Sequence, residues 1–270
     1  DYGANSVAEL TPSDSGYGLN KTQKFQGGLS LTYDVPFIEG LTAKGFFNYN
    51  YNVQDNKMDN KTFLTYDSIA GTLKSYVNGG QNGQSYVSRY YGENSVAFLQ
   101  YSLDYRHTFA KVHNVEALAL YEQQQGNGDV FQAQRYETLN SDQLAAGSAT
   151  GQIGQGTAVN PSASKSYVGK LHYDYKAKYL IDLYIRRDGS SLFPPSKPYG
   201  TFPGVTAAYR ISEEPFFKNT QWLSFVDNLK IRGSYGILGD ASGTSGYNFV
   251  GGYNYSASGN YQNVPGGYVF

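Results

Sequence analysis

Residues 41–53 read LTAKGFFNYNYNV, and along them every second side chain changes character. Leu41, Ala43, Gly45, Phe47, Tyr49, Tyr51 and Val53 fall on one side, and Thr42, Lys44, Asn48, Asn50 and Asn52 fall mainly on the other. Successive strand side chains point to opposite faces, so strict alternation over about ten residues demands a strand between an apolar and a polar medium. The pattern recurs in KFQGGLSLTYDV (24–35), AFLQYSLDYRHTF (97–109), SYVGKLHYDY (166–175), YLIDLYIR (179–186), VTAAYRI (205–211) and LKIRGSYGI (229–237). Residues 114–124 repeat it more weakly, because ALALY is apolar on both faces.

Composition narrows what the two media are. Only 16% of the 270 residues are charged, against about 25% in a typical soluble domain. In their place stand 27 Tyr, 15 Phe and 32 Gly, with no Cys, one Met and three His. No disulfide or thiolate metal site is possible. The net charge of -1 gives no electrostatic reason to expect nucleic acid. Mean hydropathy is -0.50, and no run reaches the ~18 apolar residues of a membrane helix. This profile is the one expected of an outer-membrane β-barrel. No leader is visible in DYGANSVAEL, so the chain is read as mature or as a fragment.

The connectors add a second signal. PFIEG (36–40), AKVHN (110–114) and KAK (176–178) are short. Between them lie long polar links, one from Val53 to about residue 94, with an expected hairpin at 61–67 and 85–91, and one over about 125–165. EEPFFKNTQWLSFVDN (213–228) is intermediate. Transmembrane barrels alternate tight periplasmic turns with long extracellular loops. A soluble sandwich or propeller also alternates, but its strands usually run about five or six residues and its loops rarely reach about 40. The expected class is therefore all-β: an antiparallel transmembrane barrel wall of about 8–12 strands. The Leu/Tyr/Phe/Ile/Gly face meets lipid, with Tyr51, Tyr105 and Tyr175 near strand ends as an interfacial girdle. The Lys/Asp/Asn/Ser/Arg face lines the interior.

With strands in place, YLIDLYIRRDGSSLFPPSKPYGTFPGVTAAYRISEEPF (179–215) and LKIRGSYGILGD (229–240) resemble blocks of the SusC/RagA-like TonB-linked outer-membrane transporters. NSVAEL (5–10) and LSLTYDVPFIEGLTAKGFFNYNYN (29–52) match further blocks, in order. Leu192 stands where the family often has Arg, PPSKPYG replaces a more polar loop, and Tyr209 takes a usual Trp position. The resemblance implies a barrel of about 22 strands with a plug in its lumen. Residues 1–270 are then part of one barrel domain, with the plug and the N-terminal extension absent. It further implies import of oligosaccharides or peptides across the outer membrane of a Gram-negative bacterium. The implied partners are a SusD-like lipoprotein lid, the TonB complex reached through the missing N-terminal part, and the bilayer with its lipopolysaccharide.

Site signals are sparse. His107, His113 and His172 lie on or beside separate strands without Cys or paired carboxylates, so a polar lining or turn role is expected and no catalytic, metal or cofactor site is assigned. GQIGQG (151–156) is read as loop, since no strand-helix context supports phosphate binding. NVQDNKMDNK (52–61) is read as loop chemistry without Ca²⁺-loop spacing. Tyr76, Tyr86, Tyr90, Tyr91, Tyr136 and Tyr199 lie in or beside extracellular segments, where flat rings can stack on sugar or peptide. Arg186, Arg187, Asp188, Gly189, Ser190 and Ser191 form the signature at the strand's extracellular exit, with Gly189–Ser191 turning into a loop and a structural rim role. Two other readings stay open here: a small self-contained barrel, adhesin or hydrolase, ending at Tyr268–Phe270, and a soluble carbohydrate-binding β domain.

Overall fold

The computed structural model describes residues 6–69, 72–223, 225–240, 252–255 and 261–264. The long strands are β1 (Gly16–Asp34), β2 (Leu41–Asn60), β5 (Tyr86–Phe109), β6 (His113–Tyr136) and β7 (Ile153–Tyr175). Shorter ones are β3 (Thr62–Ile69), β4 (Thr72–Gly79), β8 (Tyr179–Ser190), β9 (Tyr199–Arg210), β10 (Lys230–Gly236), β11 (Gly252–Tyr255) and β12 (Tyr261–Val264). Three helical turns, α1 (Ser6–Leu10), α2 (Pro12–Ser15) and α3 (Pro215–Lys218), complete the elements used below. One eight-stranded sheet runs β1-β2-β5-β6-β7-β8-β9-β10, and β3-β4 and β11-β12 form two-stranded sheets. No described helix is long and apolar enough to cross a membrane. Tyr268 and Phe270, singled out in the sequence, lie outside the described residues.

The strands are longer than alternation indicated. β5 and β6 have 24 residues each and β7 has 23, where about ten suffice for a tilted crossing. The expected loop over 125–165 is largely strand, leaving 137–152 as the link. GQIGQG enters β7, and NVQDNKMDNK belongs to β2 apart from its last residue. The 61–67 segment pairs with β4 in register Thr62↔Gly79 to Ile69↔Thr72, while 85–91 opens β5. The physical reason is common to all of these. A strand with water on both sides has no apolar face, so its sequence carries no period-2 signal even where the backbone ladder continues.

The chain divides into two compact units, Asp1–Gln26 with Asn50–Ser95 and Asn127–Asn160, and Gly27–Tyr49 with Val96–Gly126 and Pro161–Phe270. The first is held by polar contacts around Val87, the one buried apolar side chain among its described residues. Asp142 accepts hydrogen bonds from Tyr17 and Lys57, Arg89 pairs with Asp55 at 2.7 Å, and the Tyr51 hydroxyl donates to Glu93 at 2.6 Å. Tyr51 is thus mid-strand and bonded to a carboxylate rather than at a strand end.

The second unit contains three tight links. Between β5 and β6, Ala110 and Lys111 have φ of 47° and 62°, and the Val112 N–H donates to the Phe109 carbonyl at 3.1 Å. Between β7 and β8, Lys176 and Ala177 have φ of 54° and 56°, with Lys178 N–H donating to Tyr175 at 3.0 Å. Two successive positive φ values make the turn twist with the strands. The turns are also tied to neighbours, since Gly40, Val112 and Lys178 carbonyls accept N–H bonds from Arg106, Lys176 and Arg210, each at 2.8 Å. At Gly40 φ is 84° and an added Cβ would lie 1.8 Å from the Arg106 carbonyl oxygen, so only glycine fits.

Registers fix the faces. Tyr175↔Tyr179↔Tyr209, Tyr173↔Ile181↔Ala207 and Leu171↔Leu183↔Val205 lie on one face. His172↔Asp182↔Thr206 and Lys170↔Tyr184↔Gly204 lie on the other. The apolar face is open: Tyr167, Leu171, Tyr179, Leu183, Ile185 and Ile231 are all exposed. Among the described residues of this unit the one buried apolar side chain is Phe217, on α3. On the polar face Tyr184 lies flat over Gly204, whose added Cβ would meet the ring at 2.0 Å, and its hydroxyl reaches Gly236. The aromatic ring covers backbone that glycine would leave bare.

Candidate functional site

The polar face carries a lattice of charges that crosses strand to strand. Lys44 of β2 pairs with Asp104 of β5 at 3.2 Å, and Arg106 of β5 faces Glu116 of β6 at 3.8 Å. Asn114 of β6 donates to both oxygens of Asp174 on β7, at 3.1 and 2.9 Å. His172 of β7 meets Asp182 of β8 at 2.7 Å, with Asp174 at 3.9 Å. Arg186 of β8 donates through Nε to both Asp188 oxygens at 2.7 Å, and through Nη2 to Glu122 at 3.0 Å and Ser166 at 3.2 Å. A face of alternating cations and anions with half-exposed members is wetted rather than packed, and can pass polar solutes without binding one tightly.

The signature block divides between faces. Arg186 and Asp188 form the clamp just described, on the polar side. Arg187 is on the apolar side, its guanidinium 4.7 Å from the centroid of the Tyr199 ring. That ring lies over Gly189, where an added Cβ would approach it to 2.4 Å. Gly189 and Ser190 do not turn the chain; they continue β8, paired with Tyr199 and Ser164. The turn follows: Phe193 N–H donates to the Ser190 carbonyl at 3.2 Å and Leu192 N–H to Ser190 Oγ at 3.2 Å. Ser191 still reaches across, exchanging bonds with Ala163 at 2.8 and 3.0 Å. The ladder outlasts the expected exit because the Tyr199 ring needs a glycine directly opposite it.

The tyrosines singled out for solute contact all sit on strands rather than in loops. Tyr76 is on β4, Tyr86, Tyr90 and Tyr91 on β5, Tyr136 ends β6 and Tyr199 begins β9. Only Tyr199 is exposed; the other five are half-buried. Tyr86 accepts from Asn60 and donates to Met58, Tyr91 stacks on Phe131 at 5.5 Å, and Tyr136 accepts from Asn82. The structure gives no single cluster of the six. At the tight-turn end, Tyr179 stacks on Tyr209 at 5.2 Å and on Tyr175 at 6.4 Å, and Tyr105 stacks on His107 at 6.3 Å. His113 tilts against Tyr175 at 4.9 Å and its Nδ1 shares a hydrogen bond with the Tyr173 hydroxyl. Among the described residues no His, Cys, Asp and Glu gather as metal ligands.

Two features carry no signal in the sequence. One is Asp59 on β2, 4% exposed, beside Glu137 after β6; Asp59 Oδ1 and Glu137 Oε1 accept no hydrogen bond among the described residues. Burial, then the Asp59 carboxylate, push Glu137 up to about 7. The other is an apolar groove of about 620 Å³ on the open face, floored by Ala43, Ala119 and Gly169 and flanked by Tyr101, Tyr121 and Tyr167. Both depend on residues distant in sequence that only the ladder brings together.

An open sheet with one lipid-suited face, one charged face and almost no core is the wall of an antiparallel transmembrane β-barrel, here a partial set of strands. No family model matches the chain. A TonB-dependent receptor of Formosa agariphila is 31% identical over 230 residues, covering 82% of this chain and 20% of the receptor. The TonB-dependent receptor SusC of Bacteroides thetaiotaomicron is 40% identical over 74 residues, 27% of this chain and 7% of SusC. The solved RagAB peptide transporter superposes with a TM-score of 0.70 at 18% identity, over 92% of this chain and 27% of that one. The chain belongs, as a portion, to the SusC/RagA-like TonB-dependent transporters. It spans about a fifth of the length of the curated relatives that match most of it.

Proposed function

We propose that this chain is a stretch of barrel wall and extracellular strand extensions in an outer-membrane importer of oligosaccharides or peptides. Residues 1–270 are part of one barrel domain, whose plug lies elsewhere in the longer protein. The importer works with a SusD-like lipoprotein lid over its mouth and draws energy from the TonB complex. The observation that carries the reading is the two-faced sheet: the Leu171–Leu183–Val205 side suits lipid, and the Lys44–Asp104, His172–Asp182 and Arg186–Glu122 side suits a water-filled path. A soluble carbohydrate-binding domain would bury an apolar core, and only Val87 and Phe217 are buried apolar residues among those described. The signature residues Arg186 to Ser191 hold the rim, and Tyr76, Tyr86, Tyr90, Tyr91 and Tyr136 offer rings to the solute, while the Tyr199 ring is taken up by Gly189 and Arg187 on the apolar side.

The test is uptake. A strain lacking the full-length gene is supplied with single glycans or defined peptides, and growth or uptake of labelled solute is followed. Loss of growth on one solute class, restored by the wild-type gene but not by one from which the TonB-coupling segment is deleted, is the expected result. Unchanged uptake of every solute would overturn the proposal.

A further inference from the structure

The apolar groove has a charged end. Besides its small floor and tyrosine walls, the groove is lined by Leu103, Ile185 and Arg187. Arg187 pairs with Tyr167 across the ladder, and the next position on that face of β7 is Lys165, opposite Gly189. Arg187 and Lys165 are therefore diagonal neighbours, about 7–8 Å apart at Cα in an antiparallel pair. Both are exposed, and neither has a carboxylate within ion-pair distance among the described residues. The nearby acids are already turned away: Glu122 and Asp188 are engaged by Arg186 on the opposite face. Arg187 is instead held in place by the Tyr199 ring, which fixes its plane and leaves its donors free.

Two unneutralised cations on a face that meets lipid are costly unless something anionic meets them. They stand at the loop end of β8, where a lipid head group lies, and the groove crosses from Arg187 on β8 over β7, β6 and β5 to Ala43 on β2, where its acyl chain lies. We infer that this groove binds a phosphorylated lipid of the loop-side leaflet, with one acyl chain over Ala43, Ala119 and Gly169 and a phosphate on Arg187 and Lys165. A planar guanidinium offers two parallel donors to phosphate, and the lysine supplies a second charge beside it. The small floor residues are what make room: a larger side chain at Gly169 would fill the groove, and an added Cβ there already meets Ile185 at 3.2 Å.

This inference rests on the barrel-wall reading, and the experiment separates the two. The full-length protein, purified in detergent, is analysed by native mass spectrometry with added bisphosphorylated diglucosamine lipid, its dephosphorylated form, or phosphatidylethanolamine. Wild-type protein is expected to retain the bisphosphorylated lipid at least tenfold better than the other two. The Lys165→Gln/Arg187→Gln double variant loses that preference, Gly169→Leu lowers retention of all three, and Arg187→Lys keeps most of it, which separates charge from the ring contact. Heat-modifiable migration on gels shows that each variant has folded. Equal retention by the double variant, or equal binding of the dephosphorylated lipid, would overturn the inference alone. A protein that stays dispersed without detergent and binds no lipid would overturn the barrel-wall reading with it.

Discussion

Asp59 and Glu137 form a pair in which Asp59 Oδ1 and Glu137 Oε1 each lack a donor, which the other carboxyl, protonated, would supply. Both lie at the loop ends of their strands, outside the crossing segments. Glu137 is raised to about 7 by burial first and Asp59 second, while Lys61 opposes the shift. A carboxyl raised in the folded state binds its proton more tightly folded than unfolded. Its contribution is fully present below the unfolded pKa near 4.5 and is lost as pH rises through about 7. The prediction is that Glu137→Gln, which offers an amide donor at every pH, abolishes this dependence. Hydrogen exchange at the end of β2, measured at pH 5 and pH 8, should differ clearly in the wild type and little in the variant. An identical pH response in both would show that Asp59 and Glu137 do not share a proton. Nothing in NVQDNKMDNK foretells this pair, because its second member lies far along the chain.

Among the elements, the tight turns are where local chemistry and fold disagree. Ala110–Lys111 and Lys176–Ala177 hold left-handed backbone without glycine or asparagine, which costs about 1 kcal/mol per residue. Replacing Ala110–Lys111 by Asn-Gly should stabilise the refolded full-length barrel by about 1 kcal/mol, read as a higher urea midpoint with an unchanged slope. A lower midpoint would mean that the Ala110 and Lys111 side chains hold the hairpin. These turns were legible from their shortness, since β5, β7 and β8 alternate strongly beside them and β6 more weakly. Strand tops were not legible. From Gly126 to Tyr136 and from Ile153 to Ser164 Gly, Gln, Asn, Ser and Ala predominate and no apolar side recurs, which reads as loop although the ladder continues. The signature was visible as a unit, but the split of Arg186 and Arg187 between faces acquires its meaning only with Glu122 and Tyr199 in place.

At the scale of the whole molecule, stability comes from the ladder and the surrounding lipid rather than from a core. Leu183, near the middle of β8 between Leu171 and Val205, is 43% exposed on the apolar face. Leu183→Arg should cost about 2–4 kcal/mol in a bilayer, whereas a charge at the wetted Thr206 position should cost far less. Comparable unfolding free energies for the two variants in liposomes would reverse the assignment of faces. The links from Gly40 to Arg106, Val112 to Lys176 and Lys178 to Arg210 have a kinetic meaning as well. Each places a carbonyl of one turn region where the next hairpin must deliver an N–H. A one-residue slip would turn every side chain to the wrong medium, and the slip would be felt at the turn before the strands had zipped. Assembly can then proceed one hairpin at a time in chain order, with every new arrival proofread against its predecessor.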